Sequence, residues 1–386
     1  MSENPVRVAM ILSDDREDLK KYSEPNPFFG AAPTALLNGL AKTPNCEVHI
    51  ISCVQRPVAA PAKIAGNIFF HALLVPKWGW LRGAYLGCIM AIRKKLRQLQ
   101  PDVVHGQGTE RYYALAAAFS GFPNVITIHG NMRRLAAMIN APPFSFPWLT
   151  AKLEAVALSR TLGVLCNSKH TEELVKPRTP RTWRVPHALG AHYFSPLRAI
   201  RREVPVLLNV GTISPLKGQI ELLDAMRILH QQNPKFQMQF LGRVDERSDY
   251  GAKFLERMKE PAIQAFAQYT GFESPPELVE RFDSASALVH VSKEESFGLV
   301  VAEALSRNLK LFAFKAGAVE EIAGGVDSAE LCEIDDWKAL IEKIRRWLDT
   351  GCRLPTCASA EMRTRYSPEV VARKHVEIYL SVRPPI

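Results

Sequence analysis

Two doubly wound α/β domains are the fold that this 386-residue chain predicts. The length exceeds what a single hydrophobic core ordinarily serves. Short apolar runs alternate along it with amphipathic stretches of helical length, the pattern of βα units around a parallel sheet. Between two sets of such units lies "RVPHALGAHYFSPLRAIRREVP" (184–205), which carries Pro and Gly without periodicity and reads as an interdomain connection. The expected parts are residues 1–195, residues 196–368 and a closing helix in 369–386.

In the first set the buried strands are expected at 6–13, 46–52, 102–106, 124–130 and 162–168. The second set comprises 206–212, 236–242, 263–271, 287–292 and 309–315. Helices fill the intervals. In "KGQIELLDAMRILHQQ" the residues Ile220, Leu223, Ala225, Met226 and Leu229 form one apolar stripe. Ligands of open parallel sheets bind beyond the carboxyl ends of the strands, where strand order reverses. Two such domains facing each other predict a deep cleft.

Composition narrows the function classes. Apolar residues make up 47 % and charged residues 23 %, the balance of a soluble globular protein and not of a disordered one. No apolar run reaches the roughly 18 residues of a membrane span, and "VRVAMIL" runs into "SDDRED" instead of a cleavage site, so a cytoplasmic protein is expected. The seven cysteines, without C-x-x-C pairs, read as reduced structural thiols. Residues 1–195 carry 23 Lys and Arg against 12 Asp and Glu, so the net charge of +10 resides in the first half. A one-sided basic surface fits an anionic partner. Nucleic acid is not expected, because no recognition motif accompanies the charge.

The stretch "SKEESFGLVVAEALSRN" (292–308) follows an apolar strand, so its small-residue turn opens a helix. A helix N-terminus offers unpaired N–H groups to phosphate, and Gly298 lets backbone approach a ligand. Glu303, on the second helical turn, is placed to reach vicinal sugar hydroxyls. Glu294 and Glu295 leave the strand toward opposite sides, and spacing alone does not choose between them.

These residues carry a resemblance. "HVSKEESFGLVVAEALSRNLKLFAF" is similar to the E-x7-E segment of family 4 of the retaining glycosyltransferases with the GT-B fold, Glu295 and Glu303 matching the pair. "NVGTISPLKGQIELLDAM" (209–226) resembles the family's phosphate-binding segment, and "QFLGR" and "YTGFES" resemble two later donor-domain loops. "PDVVHGQG" and "NVITIHGN" resemble strands of its first domain, and "YSPEVVARKHVEIYL" (366–380) its closing helix. The resemblance implies transfer of a sugar, with retention, from a nucleotide-diphospho-sugar to a sugar, lipid-linked or other hydroxyl acceptor. It implies no cofactor and no metal. It implies that Glu303 holds ribose hydroxyls, Glu295 contacts the transferred sugar, Lys217 and the amides of Gly298 and Leu299 take the diphosphate, and Gly211 lies in the phosphate loop. His129 matches a histidine near the donor sugar, and Gly30 matches one of a glycine pair at the donor. Gly271 and Phe297 lie in the same loops.

Three positions depart from the family's pattern. Thr212 stands where an arginine is usual, with Arg243 as a substitute; Ala31 follows Gly30 where a second glycine is usual; His187 replaces an asparagine in the connection, where it reads as a hinge residue. The paired acids Asp14-Asp15 and Asp335-Asp336 are contiguous, unlike a metal-binding D-x-D, and read as solvated or helix-capping groups. Two rival functions are an epimerase on the same fold and a catalytically silent nucleotide-sugar-binding protein. Separately, "PKWGWLRGAYLGCIMAIRKKLRQLQPD" (76–102) mixes Trp78, Trp80 and Tyr85 with Arg93, Lys94, Lys95 and Arg97, as helices at an anionic membrane surface do.

Overall fold

The computed structural model describes residues 5–197, 203–232, 235–353 and 357–384. Residues 198–202 of the expected connection lie outside the described residues. The chain divides into two compact units, Met1–Gly190 with Tyr366–Ile386, and Ala191–Arg365.

The first unit is built on an eight-stranded sheet. Its strands are β1 (Val6–Ile11), β2 (Cys46–Val54), β3 (Lys63–Ala65), β4 (Ile68–Leu74), β5 (Val103–Gln107), β6 (Asn124–Ile128), β7 (Val164–Cys166) and β8 (Thr182–Arg184). Their order is β3-β4-β2-β1-β5-β6-β7-β8, parallel throughout except that β3 runs antiparallel to β4. Order reverses between β1 and β5, which opens a crevice at their carboxyl ends. Neighbouring residues of a strand face opposite sides, and both sides are covered. Val8 and Met10 pack in one cluster with Val371, Ala372 and Tyr379 of the helix Pro368–Val382, while Ala9 and Ile11 pack with Ile89, Ile92 and Leu96 of the helix Leu86–Leu99. Gly39, in the helix Ala31–Leu40, has no room for a side chain, because a Cβ there would run into the Pro368 carbonyl. That contact brings the two helices to backbone distance.

β3, β4 and β8 of this unit, and a strand at 329–332 in the second, were not among the expected strands. β4 alternates only weakly in exposure, and three-residue β3 and β8 are too short for a period to register. The expected interfacial aromatics also separate. Trp80 and Tyr85 are buried in the core beside Tyr112, with Trp80 Nε1 donating to the Val75 carbonyl at 3.1 Å. Only Trp78 stays out, 74 % exposed, together with Leu86 and Met90 on the outer helix face.

The second unit carries β9 (Val206–Val210), β10 (Gln237–Leu241), β11 (Ala267–Gly271), β12 (Ala287–His290), β13 (Lys310–Phe314) and β14 (Ala329–Cys332). They form a parallel six-stranded sheet in the order β11-β10-β9-β12-β13-β14, the doubly wound order of dinucleotide-binding folds. The reversal lies between β9 and β12. The strand expected at 263–271 begins later, because Pro261 starts the short helix Pro261–Gln264 and leaves only Ala267–Gly271 extended. Asp14 and Asp336 cap the helices Asp15–Leu19 and Trp337–Asp349, and Asp14 is buried against Arg16. Five of the seven cysteines are buried.

Candidate functional site

In the second unit, the loop after β9 turns through Gly218, whose positive φ of 68° suits glycine, into the helix Gln219–Gln231. Gln219, fully buried, fastens this loop: its Nε2 donates to Thr212 O at 3.2 Å and its Oε1 accepts from Ser214 N at 3.1 Å. Lys293 N donates to Leu216 O at 2.8 Å, tying the loop to the one after β12. Lys217 thereby meets Glu295 in an ion pair at the carboxyl ends of the two strands flanking the reversal. His290, the last residue of β12, places Nε2 2.9 Å from the same Glu295 oxygen. Burial pushes the Glu295 carboxyl up, but the Lys217 charge and the His290 bond outweigh it and bring it down to about 2. Glu295 is therefore an anion at every physiological pH.

The backbone of Glu295 is held as firmly as its carboxylate. Ala318 N donates to Glu295 O at 3.0 Å, and a Cβ on Gly317 would run into that carbonyl. Three residues on, Gly298 takes φ 91° and caps the helix Leu299–Ser306, with Leu299 as its first residue. Phe297 is buried just before it. Glu303 lies on the buried face of that helix, where burial raises its carboxyl to about 7 despite a hydrogen bond from Tyr193 that lowers it. The Tyr193 segment is fixed by Arg307, which donates to Tyr193 O at 3.1 Å and Ser195 O at 2.7 Å while paired with Asp283. The two glutamates of one motif thus sit in opposite protonation regimes.

A cavity of about 350 Å³ opens at the carboxyl ends of β9, β10 and β11. Gly211, Thr212, Gly242, Arg243, Phe272 and Glu273 line it. Gly242 and Gly211 bring two loops together, since a Cβ on Gly242 would strike the Gly211 carbonyl. Gly271 ends β11 with φ 81° immediately before Phe272. Arg243 lies over the Phe272 ring, 4.4 Å from its centroid, so it serves this cavity's rim. Thr212 is exposed and contributes a backbone carbonyl to the Gln219 clamp.

In the first unit, half-buried His129 follows β6, in a cluster with buried His105, His187 and His375. Its Nδ1 is 3.3 Å from His187 Nε2, and Asn167 Nδ2 is 3.1 Å from that same nitrogen. His105 bridges the Tyr379 hydroxyl and Thr127, at 2.7 Å each. A cavity of about 10 Å³, water-sized, lies among Gln107, Thr127, His129, His187 and His375. His129 Nε2 is buried without a hydrogen-bond partner among the described residues. Burial depresses all four histidines, His129 and His375 to about 4, so the cluster is neutral. Gly30 precedes the helix Ala31–Leu40 with φ −53°, and a Cβ there would meet nothing nearer than Pro33 Cδ at 3.8 Å. The protein itself does not require glycine at that exposed position.

The structure thus joins Lys217 with Glu295, sets Gly298, Leu299 and Glu303 on one helix, and gathers Gly211, Thr212 and Arg243 around one cavity. His129 and Gly30 belong to the other unit. His290, Tyr193, Gln219 and Gly317 were not singled out from sequence. His290 alone left a local signal, a polar residue within an otherwise apolar strand. His187, read as a hinge residue, instead pairs with His129.

Comparison with known proteins agrees with this arrangement. Residues 34–202 match the family model "Glycosyltransferase Family 4", and residues 197–367 match "Glycosyl transferases group 1". The lipopolysaccharide 1,2-N-acetylglucosaminetransferase of Salmonella typhimurium is 28 % identical over 46 % of this chain and 49 % of its own. A GDP-mannose:cellobiosyl-diphosphopolyprenol alpha-mannosyltransferase of Xanthomonas campestris is 26 % identical over 54 % of each. The chain spans about half the length of the curated relatives it matches. Among solved structures, sucrose-phosphate synthase from Thermosynechococcus elongatus superposes with a TM-score of 0.77 at 17 % identity, covering 98 % of this chain and 99 % of that one. Anabaena Alr3699/HepE in complex with UDP-glucose superposes at 0.71 with 14 % identity, covering 97 % and 99 %. The chain belongs to glycosyltransferase family 4 and has the GT-B fold.

Proposed function

We propose that this protein transfers a sugar from a nucleotide-diphospho-sugar to an acceptor hydroxyl with retention of anomeric configuration. The observation that carries the reading is the joining of Lys217, Glu295 and His290 at the strand reversal of the second unit, beside the glycine-opened helix at Gly298. The ammonium of Lys217 and the N–H groups at that helix start meet the diphosphate, and both contacts strengthen as the leaving group gains charge. Glu295 accepts from hydroxyls of the sugar as positive charge develops at its anomeric carbon. His290, bonded to the same carboxylate, fixes that group's orientation. Glu303 takes the ribose hydroxyls, and the 350 Å³ cavity takes the base. The first unit binds the acceptor. The relatives named above act on lipopolysaccharide and on a polyprenol-linked saccharide, which favours a glycolipid or lipid-linked acceptor here.

The test is incubation with a panel of nucleotide-sugars and saccharide or lipid-linked acceptors, read by mass spectrometry. A glycosylated product that vanishes with Glu295→Gln supports the reading. Donor turnover without any acceptor would mean the epimerase, and nucleotide binding without product the silent protein.

A second reading concerns location. Trp78, Leu86 and Met90 are exposed together, 60 to 74 % each, and Lys77, Arg82, Arg93, Lys94 and Arg97 are exposed beside them. Apolar tips rimmed by cations fit the interface of an anionic bilayer. No helix of the described residues is long and apolar enough to cross a membrane, so peripheral attachment from the cytoplasmic side is the form proposed. Co-sedimentation with phosphatidylglycerol vesicles at low salt tests it, and a protein that stays in the supernatant ends it.

A further inference from the structure

Glu273 is the least explained charged group of the second unit. It follows Phe272 in the loop after β11, lines the 350 Å³ cavity, and its side chain is only 11 % exposed. One oxygen is spent: Oε1 accepts from Arg281 Nε at 2.8 Å and lies 2.8 Å from Arg281 Nη2. The other oxygen, Oε2, is buried and has no hydrogen-bond partner among the described residues. A buried carboxylate oxygen left unpaired is costly, so a group that enters the cavity and donates to it gains that cost back.

We infer that Glu273 selects guanine, so that the donor of this protein is a GDP-sugar. The inference rests on the donor-site reading proposed above. Lys217 and Glu295 mark the diphosphate at β9 and β12, and β11 lies three strands from β12. At about 4.8 Å per strand the cavity is ~14 Å away, within reach of a nucleoside diphosphate. The chemistry of the free oxygen then chooses among bases. An ionised carboxylate oxygen offers two lone-pair directions and no donor. Guanine presents two adjacent donors, N1–H and the N2 amino group, which one such oxygen satisfies together. Uracil presents a single N–H between two carbonyl oxygens, both repelled by the carboxylate, and adenine sets an acceptor beside its amino group. The guanidinium of Arg243, resting on the Phe272 ring, adds a donor and a planar surface at the cavity rim.

Calorimetric titration of the full chain with GDP, UDP and ADP tests this. GDP should bind about tenfold to a hundredfold more tightly than either competitor, the discrimination of one bidentate base contact. In Glu273→Gln, which keeps the shape but replaces one acceptor by a donor, that preference should collapse while UDP binding stays or improves. UDP or ADP binding as well as GDP would overturn the inference and leave the donor site standing. Binding of none of the three would remove the donor-site reading itself, and the inference with it. The wild-type ratio decides the matter even where the variant does not fold, and Glu273→Asp, which withdraws the oxygen but keeps the charge, should also lose the preference.

Discussion

Replacing Lys217 by Met isolates the interaction on which the donor site is built. Glu295 titrates near 2 where an ordinary glutamate titrates near 4.5. A depressed carboxylate contributes stability that is complete above the unfolded value and lost as pH falls through the folded one, here between 4.5 and about 2. Two and a half pKa units correspond to about 3 kcal/mol at pH 7. The charge of Lys217 is the largest single influence that lowers it, with burial opposing, so Lys217→Met should remove about 2 kcal/mol from the second unit. Glu295→Gln should cost less, because Lys217, 26 % exposed, can turn to solvent. In the double variant the two losses should fall short of their sum by roughly 1 to 2 kcal/mol, the coupling of the pair. Urea titration read by hydrogen exchange at β9 and β12 measures each corner of the cycle. The gap between wild type and Lys217→Met should narrow as pH is taken from 4.5 toward 2. A loss below about 0.5 kcal/mol at pH 7, or a gap that ignores pH, would refute the electrostatic account. The same variant should weaken nucleoside diphosphate binding by about tenfold or more, the loss of one charge-assisted contact, whereas Glu295→Gln should not weaken it.

Three further outcomes follow from neighbouring groups. Glu303 titrates near 7, and a raised carboxyl opposes folding increasingly as pH climbs from 4.5 through 7; Glu303→Gln should therefore stabilise the second unit at pH 8 by about 1 to 3 kcal/mol while weakening nucleotide binding, and a destabilised variant would contradict this. Gly317→Ala should displace the Glu295 carbonyl, lower the melting temperature through the strained φ of 53° and cut transfer at least tenfold; unchanged transfer would show that the contact is slack. In the first unit, His129 and His375 titrate near 4, so the unfolded chain takes up protons that the folded one refuses as pH falls from 6.5 toward 4, and stability falls with it. Glu110 and Asp15, raised to about 7 and 6, act in the opposite direction in the same unit. His375→Gln should flatten the acid slope by about 1.4 kcal/mol per pH unit, and melting curves of wild type and variant that stay parallel from pH 7 to 5 would exclude it.

The architecture was legible in the chain before any fold was known. Alternating buried runs and amphipathic stretches suffice for two doubly wound sheets, because a strand covered on both faces must be apolar throughout and a covering helix must show one stripe. Gly298 and Glu303 were legible because a strand end followed by a helix start is local geometry that spacing encodes, whereas Lys217, and Glu295 over Glu294, were singled out by the family resemblance. What only the tertiary structure decided is what those groups face. Tyr193 meets Glu303 across 110 residues of chain, and Gly317 underlies the backbone of Glu295 from the loop after β13. His187 reaches His129 across 58 residues, and the unpaired oxygen of Glu273 emerges only because Arg281, one helix later, takes the other. No period or motif records such meetings, since they arise where strand order brings distant loops to one edge of a sheet. Burial of Glu303, and the Lys217 and His290 partners of Glu295, set the protonation of the two glutamates apart, one near 7 and one near 2, which the seven residues between them could not reveal.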